Sequence, residues 1–305
     1  MDIPLTLRQI EILLAVADEG STAAASRRLN VSQPSVSLTV SRCEDVFGHK
    51  IFLRRPGRGM ELTAFGQHKL TQLRELEKQA RWVLSGEQGT PEFLELGVFS
   101  TLGPRYAPQL VRHFQKANPK AEVQIREGDL QSLFEWLREG RIDLALIYDF
   151  GVPSQFAITP LMSIAPYALV AQGHPLTDLA AVTPQQITEH EIVLMGLPQS
   201  RGYFLSLLQN DRHPVRISYE TSSIEMLRSM VAHGFGVGLL ATDLLNDTCY
   251  DGTSLVRIPI SGILPPHQIA LAHRGGAAPR SIVQRFVRFA ETSFAQGKAP
   301  NRDPQ

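Results

Sequence analysis

The sequence predicts a mainly α-helical, winged helix-turn-helix at the N-terminus and an α/β domain of two subdomains at the C-terminus. Three observations predict this fold. Residues 24–37 have the pattern of two short helices joined by a tight turn. Residues 49–62 have the pattern of a basic hairpin, and strand-like and helix-like segments alternate from Glu92 onwards. The predicted boundaries are 1–63 for the winged helix-turn-helix, 64–91 for a linker helix and hinge, 92–295 for the α/β domain and 296–305 for a disordered tail.

The helix-turn-helix is predicted from its caps and from its buried side. Ser32 can cap the second helix, and Pro34 lies in its first turn, where a missing N–H costs nothing. Gly48 is a typical helix end. A stripe of residues at spacings of four, three and four predicts the buried side, namely Val36, Val40, Cys43 and Phe47. The alternative is a helix pair in an ordinary bundle, in which Ser32 is only a cap.

A basic hairpin follows the second helix. Residues 49–59 carry Lys50, Arg54, Arg55 and Arg58 and no acidic residue. A hairpin of this kind beside a recognition helix can act as a wing that grips phosphates or enters the minor groove. The alternative is a charged segment that serves only to face water.

The side chains at the start of the second helix fit the edges of DNA bases. Gln33 can pair with N6 and N7 of adenine, serine hydroxyls can bind base edges or phosphates, and Pro34 and Leu38 can contact a thymine methyl group. The predicted DNA contacts are Ser32, Gln33, Pro34, Ser35, Ser37, Leu38 and Arg42 on the helix and Arg54 and Arg55 on the wing.

A larger set of residues in this half of the chain matches one known pattern. Its members are Leu7–Ile10, Glu19–Ser21, Ala25, Ser26, Leu29–Ser37, Glu44, Phe47, Gly48, Ile51–Arg54 and Leu62–Gly66. As a set, they resemble the DNA-binding half of the LysR-type transcriptional regulators. The resemblance implies a DNA-binding regulator. The chain departs from the family pattern at Thr22, Cys43 and Leu38, and the last of these leaves the base preference open.

The amino-acid composition indicates that any DNA-binding site is confined to a local patch of the surface. The 305 residues include 30 basic and 30 acidic ones, which argues against a protein that coats nucleic acid non-specifically. No apolar run is long enough to span a membrane and residues 1–4 do not begin a signal peptide, so we expect a cytoplasmic protein without a membrane partner. The two cysteines, Cys43 and Cys249, predict no disulfide framework, and a redox role for Cys249 stays open.

The linker helix carries an apolar stripe at heptad spacing. Leu73, Leu76, Ala80 and Val83 follow spacings of three, four and three, and Trp82 can help to cover them. An isolated helix of this length has nothing obvious to cover such a stripe within one chain. Pairing with a second protomer is therefore the preferred interpretation, and packing on its own domain is the alternative. The segment 85–91 is the predicted hinge.

The C-terminal part predicts a parallel sheet covered on both faces, because strands and helices alternate with short loops. It resembles the effector-binding domain of the same family, which is similar to periplasmic solute-binding proteins of type 2, through Gly140–Ala145, His174–Leu176 and Val231–Leu240. Ala241 departs from the usual proline. The resemblance implies two subdomains, at about 92–163 with 266–295 and at about 164–265, and a ligand cleft between them.

Helix starts that follow parallel strands place free N–H groups at such a cleft. The predicted effector contacts are Ser100, Thr101, Tyr148, Ser200, Arg201, Thr221 and Ser223. A guanidinium such as that of Arg201 suits a carboxylate, so the expected effector is a small anion. The alternatives are a surface ion pair for Arg201 and helix caps for the hydroxyls of Ser100, Thr101 and Ser223.

Enzymatic motifs are missing from the sequence. Residues 234–238 are glycine-rich, but they enter a strand rather than a helix, which is the wrong order for a phosphate loop. There is no nucleophile elbow and no paired histidine or cysteine motif, so no enzyme, cofactor or metal is expected. The expected partners are near-palindromic double-stranded DNA, a small effector and further copies of the chain, as dimer to tetramer, with RNA polymerase left open. The alternative is a solute-binding or enzymatic α/β protein with an accessory helix-turn-helix.

Overall fold

The computed structural model describes residues 4–55, 59–84, 92–208, 214–262, 267–275 and 281–295. The side chains of Arg55 and Trp82, the whole of Arg58, the hinge 85–91 and the tail 296–305 lie outside the described residues, so the predictions made for them are not addressed by the structure.

The N-terminal part is a winged helix-turn-helix, as predicted. Its elements are α1 (Leu7–Glu19), α2 (Thr22–Leu29), α3 (Gln33–Phe47), β1 (Phe52–Arg55), β2 (Gly59–Leu62) and α4 (Ala64–Leu84). The side chain of Ser32 accepts a hydrogen bond from the N–H of Ser35, and Gly48 ends α3 in the left-handed conformation. Strands β1 and β2 pair antiparallel and form the wing. The local capping signals therefore set the helix boundaries that the sequence predicted.

The predicted buried side of α3 packs against α1 and the start of the wing. Val36, Val40 and Cys43 are buried, and Phe47 is half-buried against the same core. Glu44 is also buried, which the apolar stripe does not predict. Burial raises the pKa of the Cys43 thiol to about 11, which agrees with a packing role for this side chain.

Helix α4 corrects one prediction. Leu73, together with Leu70, is buried in the core of its own DNA-binding domain, so the expectation that Leu73 faces a second protomer is wrong. The reason is that α4 continues from the wing and lies on α1, a contact between segments distant in sequence. Leu76 and Val83, seven residues apart, remain 45% and 67% exposed.

The C-terminal part contains two five-stranded sheets, with strand orders β4-β3-β5-β12-β6 and β11-β7-β10-β8-β9. The first group of elements is β3 (Glu92–Phe99), α5 (Gly103–Ala117), β4 (Ala121–Gly128), α6 (Leu130–Glu139), β5 (Leu144–Tyr148), β6 (Phe156–Ile164), β12 (His267–Arg274) and α10 (Ser281–Ala295). The second group is β7 (Tyr167–Ala171), α7 (Pro184–Thr188), β8 (Ile192–Met195), α8 (Pro198–Leu208), β9 (Ile217–Thr221), α9 (Ile224–Ala232), β10 (Val237–Leu240) and β11 (Leu255–Pro259), with a short 3-10 turn at Pro175–Asp178.

The sheets are mixed, which corrects the expectation of a wholly parallel sheet. In the first sheet β3 runs parallel to β4 and β5, but β12 runs antiparallel to β5 and β6. In the second sheet β7 runs antiparallel to β10 and β11. The chain leaves the first sheet after β6 and returns to it only at β12. This strand lies between β5 and β6 and runs antiparallel to both. Strand β6, which the sequence analysis missed, lies at a sheet edge, where its Pro160 is tolerated.

Each sheet has its own core, and the two cores meet at half-buried Leu197. The gap between them lies beside the ends of β5 and β10. Among the described residues, no helix combines the length and the apolar character needed to cross a bilayer.

Candidate DNA interface and effector cleft

The first turns of α3 present their side chains to solvent. Ser32, Gln33, Pro34, Ser35 and Arg42 are exposed, Leu38 is 53% exposed and Ser37 is half-buried. These seven predicted contacts lie away from the buried stripe, on the surface that a recognition helix offers to the major groove. The structure brings them together, and their contacts with DNA stay a prediction.

The side chain of Gln33 is held by a neighbouring helix. Its Nε2 donates to the Thr22 hydroxyl over 3.4 Å, and Thr22 is buried at the start of α2. This bond orients the amide and leaves its carbonyl oxygen to accept from adenine N6. The departure from the family pattern at Thr22 thus has a local consequence for the recognition helix.

Buried Glu44 connects α3 to the wing. Its Oε1 accepts from the N–H groups of Ile51 and Phe52 over 2.9 and 3.1 Å, and its Oε2 accepts from Lys50 Nζ over 2.6 Å. Burial by itself raises the pKa of this carboxyl, but the hydrogen bonds from Lys50, Phe52 and Ile51 outweigh it and hold the pKa below its usual range. The carboxylate therefore fixes the base of the wing relative to the recognition helix.

Of the four cations that the sequence places on the wing, the structure describes the side chains of Lys50 and Arg54. Arg54 is exposed on β1, as a phosphate contact requires. The charge of Lys50, in contrast, is paired with Glu44 and serves the wing base.

A second candidate site lies in the cleft between the two sheets. Its lining residues come from both subdomains and are Thr101, Tyr148, Phe150, Ile164, Met195, Ser200, Tyr203, Phe204, Ile224, Leu240, Ala241, Thr242 and His267. The space they leave is only about 20 Å³. That volume suffices for about one water molecule, so the cleft is closed in this structure.

Three of the seven predicted effector residues line this space, namely Thr101, Tyr148 and Ser200. The other four lie elsewhere. Arg201 has a side chain that is 42% exposed and paired with Glu220 over 3.1 Å, and Ser223 caps α9 by accepting from the N–H of Met226. These are the alternatives that the sequence left open for both residues. Thr221 accepts from the N–H of Ser223, and Ser100 donates its N–H to the carbonyl of Gly128 at the end of β4.

Sequence analysis predicted Tyr148 but missed the aromatic group that surrounds it at the centre of the cleft. Phe150 stacks between Tyr148 and Tyr203, with ring centroids 5.4 and 5.8 Å apart and interplanar angles of 11° and 12°. The ring of His267 stands nearly perpendicular to that of Tyr203, with centroids 3.9 Å apart. The three segments that supply these rings are far apart in the sequence, and no local spacing could have predicted the group.

Two tyrosines bind Thr242 behind this group, and one of them, Tyr148, connects the two subdomains. The Tyr148 hydroxyl lies 2.6 Å from the hydroxyl of Thr242, and the Tyr167 hydroxyl donates to the Thr242 carbonyl over 2.7 Å. Burial raises the pKa of both phenols, so both remain neutral and can hydrogen-bond at physiological pH. Closure of the cleft is therefore coupled to the segment after β10.

Comparison with known proteins assigns both halves of the chain to one family. Residues 7–67 match the model of bacterial regulatory helix-turn-helix proteins of the lysR family, and residues 87–295 match that of the LysR substrate binding domain. The chain belongs to the LysR family of transcriptional regulators. It is a DNA-binding regulator with an effector-binding domain. This family assignment excludes the alternatives of an enzyme or a solute-binding protein.

Named relatives of this LysR-type regulator match most of its length. The transcriptional activator protein LysR of Escherichia coli (strain K12) is 29% identical over 290 residues, which cover 92% of this chain and 91% of that protein. The regulator CfxR of Cupriavidus necator is 30% identical over 253 residues, covering 79% and 77%. The crystal structure of HinK, a LysR family regulator from Pseudomonas aeruginosa, is 30% identical and superposes with a TM-score of 0.64, covering 95% and 98%.

In this LysR-type regulator the two halves meet along α4 through charged side chains. Asp18 of α1 binds Arg74 Nη2 over 2.5 Å and lies 3.5 Å from Arg141 Nε, while Lys78 Nζ binds Asp143 over 2.7 Å. These five residues are called the junction network below. They line a cavity of about 710 Å³ between the DNA-binding domain, α4 and the first subdomain. The described contacts between the halves thus include a network of ion pairs.

Proposed function

We propose that this regulator reads a near-palindromic double-stranded DNA site with the start of α3, while the wing grips the adjacent backbone. The observation that carries the proposal is the exposed first turn of α3, on which Gln33 is oriented by Thr22 beside a wing fixed by Glu44. An oriented amide suits a bidentate contact with adenine, and Arg54 suits a phosphate.

Two copies bind together in this proposal. Leu76 and Val83 lie seven residues apart on α4 and stay exposed, as expected of residues that pair with a second copy of the helix. Two recognition helices related by a two-fold axis match two half-sites. Further pairing of the α/β domains into a tetramer, contact with RNA polymerase and a cytoplasmic location belong to the same proposal, since a regulator acts at promoters on the chromosome.

The effector site in this proposal is the cleft between the two sheets. Tyr203 and His267 support it, because both are more than nine-tenths buried there, while the Tyr203 hydroxyl and His267 Nε2 have no hydrogen-bond partner among the described residues. Buried polar groups of this kind cost free energy until a ligand or water satisfies them. The anionic effector expected from Arg201 gains no support, since no Lys or Arg is among the described residues that line the cleft.

The effector signal would pass from the cleft to α4. Opening of the cleft changes the position of the first subdomain, which carries Arg141 and Asp143 of the junction network. Ion pairs exchange partners more readily than a packed apolar core deforms. A shift there would change the spacing of the paired DNA-binding domains and hence the bend of the bound DNA.

The test is selection of fragmented genomic DNA from the source organism on the purified protein, followed by footprinting. We expect a discrete, near-palindromic site. Gln33→Ala should then weaken binding to this site by about 1–3 kcal/mol and relax its specificity. Arg54→Ala should weaken binding to specific and random DNA alike and reduce the salt dependence.

Arg112→Ala, a change of an exposed arginine on α5, is the matched control and should bind as the wild type does. Binding of the wild-type protein to DNA without any sequence preference would refute the proposal. An equal loss on specific and random DNA for Gln33→Ala would refute the role of Gln33.

A further inference from the structure

The effector cleft is filled by a side chain of the protein itself. The rings of Tyr148, Phe150 and Tyr203 form a three-layer stack, in which Tyr148 and Phe150 belong to the first subdomain and Tyr203 to α8 of the second. Phe150 is only half-buried and follows β5 on a loop, so it can move without breaking strand pairing. The middle ring of the stack thus occupies the position in which a flat ligand would touch both subdomains.

The available space supports this interpretation. The cavity of about 20 Å³ cannot admit a ring, because cavities that bind benzene measure about 150 Å³. A ring-sized ligand therefore has to displace a side chain. Phe150 is the lining ring that a loop carries, whereas Tyr148 and Tyr203 belong to a strand and a helix.

The polar groups around the stack define what the ligand must carry. The lining residues that the structure describes include no Arg, Lys, Asp or Glu, so a charged ligand would lose its hydration without gaining a counter-ion from them. Burial lowers the pKa of His267, although Asp149 opposes the shift, and the ring is thus neutral at physiological pH. His267 Nδ1 lies 3.5 Å from Asp149, which favours the proton on that nitrogen and leaves Nε2 as an acceptor.

We propose that the effector is an uncharged, planar aromatic compound that takes the place of the Phe150 ring between Tyr148 and Tyr203. One substituent donates a hydrogen bond to His267 Nε2, and another pairs with the Tyr203 hydroxyl. The inference rests on the cleft proposed above as the effector site. Displacement of Phe150 exchanges a contact within the protein for one with the ligand, and so couples binding to the relative position of the subdomains.

Binding of three small probes to the full-length protein tests this proposal by ligand-observed NMR titration. Benzamide is planar and uncharged and carries both a donor and an acceptor. Benzoate keeps the ring but is charged and lacks the donor, and cyclohexanecarboxamide keeps the amide but loses the plane. We expect benzamide to bind at least about tenfold more tightly than either of the other two.

Variants identify the position that the probe takes. Phe150→Ala removes the competing ring and should raise the affinity for benzamide at least about tenfold. Phe150→Val, which retains an apolar side chain on the loop, is made in parallel in case the alanine variant does not fold. Tyr203→Leu should abolish the gain when it is combined with either. Phe235→Ala, at a ring outside the cleft that is 44% exposed, is the matched control and should not change the affinity.

Two results would overturn the inference: an affinity for benzamide that is the same with and without Phe150, or benzoate binding as tightly as benzamide. DNA binding by each variant, measured without probe, keeps the two proposals separate. If the DNA site is bound specifically while the benzamide prediction fails, only the ligand class is wrong. If the wild-type protein does not bind DNA specifically, the proposed function fails whatever the probes do.

Discussion

At the scale of single residues, the DNA-binding half depends on a buried carboxylate. Glu44 lies among apolar side chains of α3, yet its two oxygens accept from Lys50 and from the N–H groups of Ile51 and Phe52. A buried charge is tolerated when hydrogen bonds replace the water that it loses. Glu44 therefore determines where the wing lies relative to the recognition helix, although it need not touch DNA.

Glu44→Ala should lower the free energy of unfolding by about 2–4 kcal/mol, since it leaves buried N–H groups without a partner at about 1–3 kcal/mol each. Urea denaturation measures this change. Glu44→Gln keeps one acceptor oxygen and should lose less. The matched control is Glu135→Ala at an exposed position of α6, where we expect a change within about 0.5 kcal/mol. An alanine variant as stable as the wild type would show that the wing base does not depend on this carboxylate.

At the scale of elements, helix α4 has two apolar sides with different tasks. Leu70 and Leu73 join the core of the DNA-binding domain, whereas Leu76 and Val83 remain exposed on the following turns. The heptad pattern in the sequence does not distinguish these sides, because both repeat at the spacing of a helix. The start of α4 comes very close to the wing base, since a Cβ atom on Gly66 would lie 2.2 Å from the carbonyl oxygen of Ile51.

Replacement of both Leu76 and Val83 by Glu should convert a dimer into a monomer, because it places charges on the exposed apolar side of α4. Size-exclusion chromatography with light scattering measures the molecular mass. The double variant should keep its fold, as judged by its thermal midpoint. Leu73→Glu serves as the contrast and should destabilise the monomer itself, since Leu73 is 6% exposed. A double variant that stays dimeric would place the dimer interface elsewhere.

At the scale of the whole molecule, the junction network joins the DNA-binding domain to the effector-binding domain. Burial by itself raises the pKa of the Asp18 carboxyl, but the hydrogen bond and charge of Arg74 and the charges of Arg141 and Arg28 outweigh it and lower the pKa. A carboxyl whose pKa is lowered by folding stabilises the protein above its unfolded pKa. That contribution is lost as the pH falls through the folded pKa.

Asp18→Asn should therefore reduce the free energy of unfolding by about 2 kcal/mol near neutral pH, as expected for hydrogen bonds to a charged group. The difference from the wild type should stay constant from pH 8 to pH 5 and shrink below about pH 4, where the carboxyl in the unfolded chain becomes protonated. Urea denaturation at each pH measures it. A difference that grows towards low pH would contradict the assignment.

The sequence by itself determined the winged helix-turn-helix and the alternation of strands and helices in the C-terminal part. Caps such as Ser32, ends such as Gly48 and the stripe of α3 act between residues a few positions apart, so a local pattern contains them. For the same reason the bounds of β7, β8 and β10 follow from short apolar runs between turn residues.

Only the tertiary structure decided the direction of β12, the burial of Glu44 and Leu73, and the aromatic group of the cleft. Each of these depends on which distant segments meet. Phe150, Tyr203 and His267 come from a loop, a helix and a strand that share no local pattern. Side-chain burial and stacking depend on such long-range contacts, so the spacing of residues along the chain does not predict them.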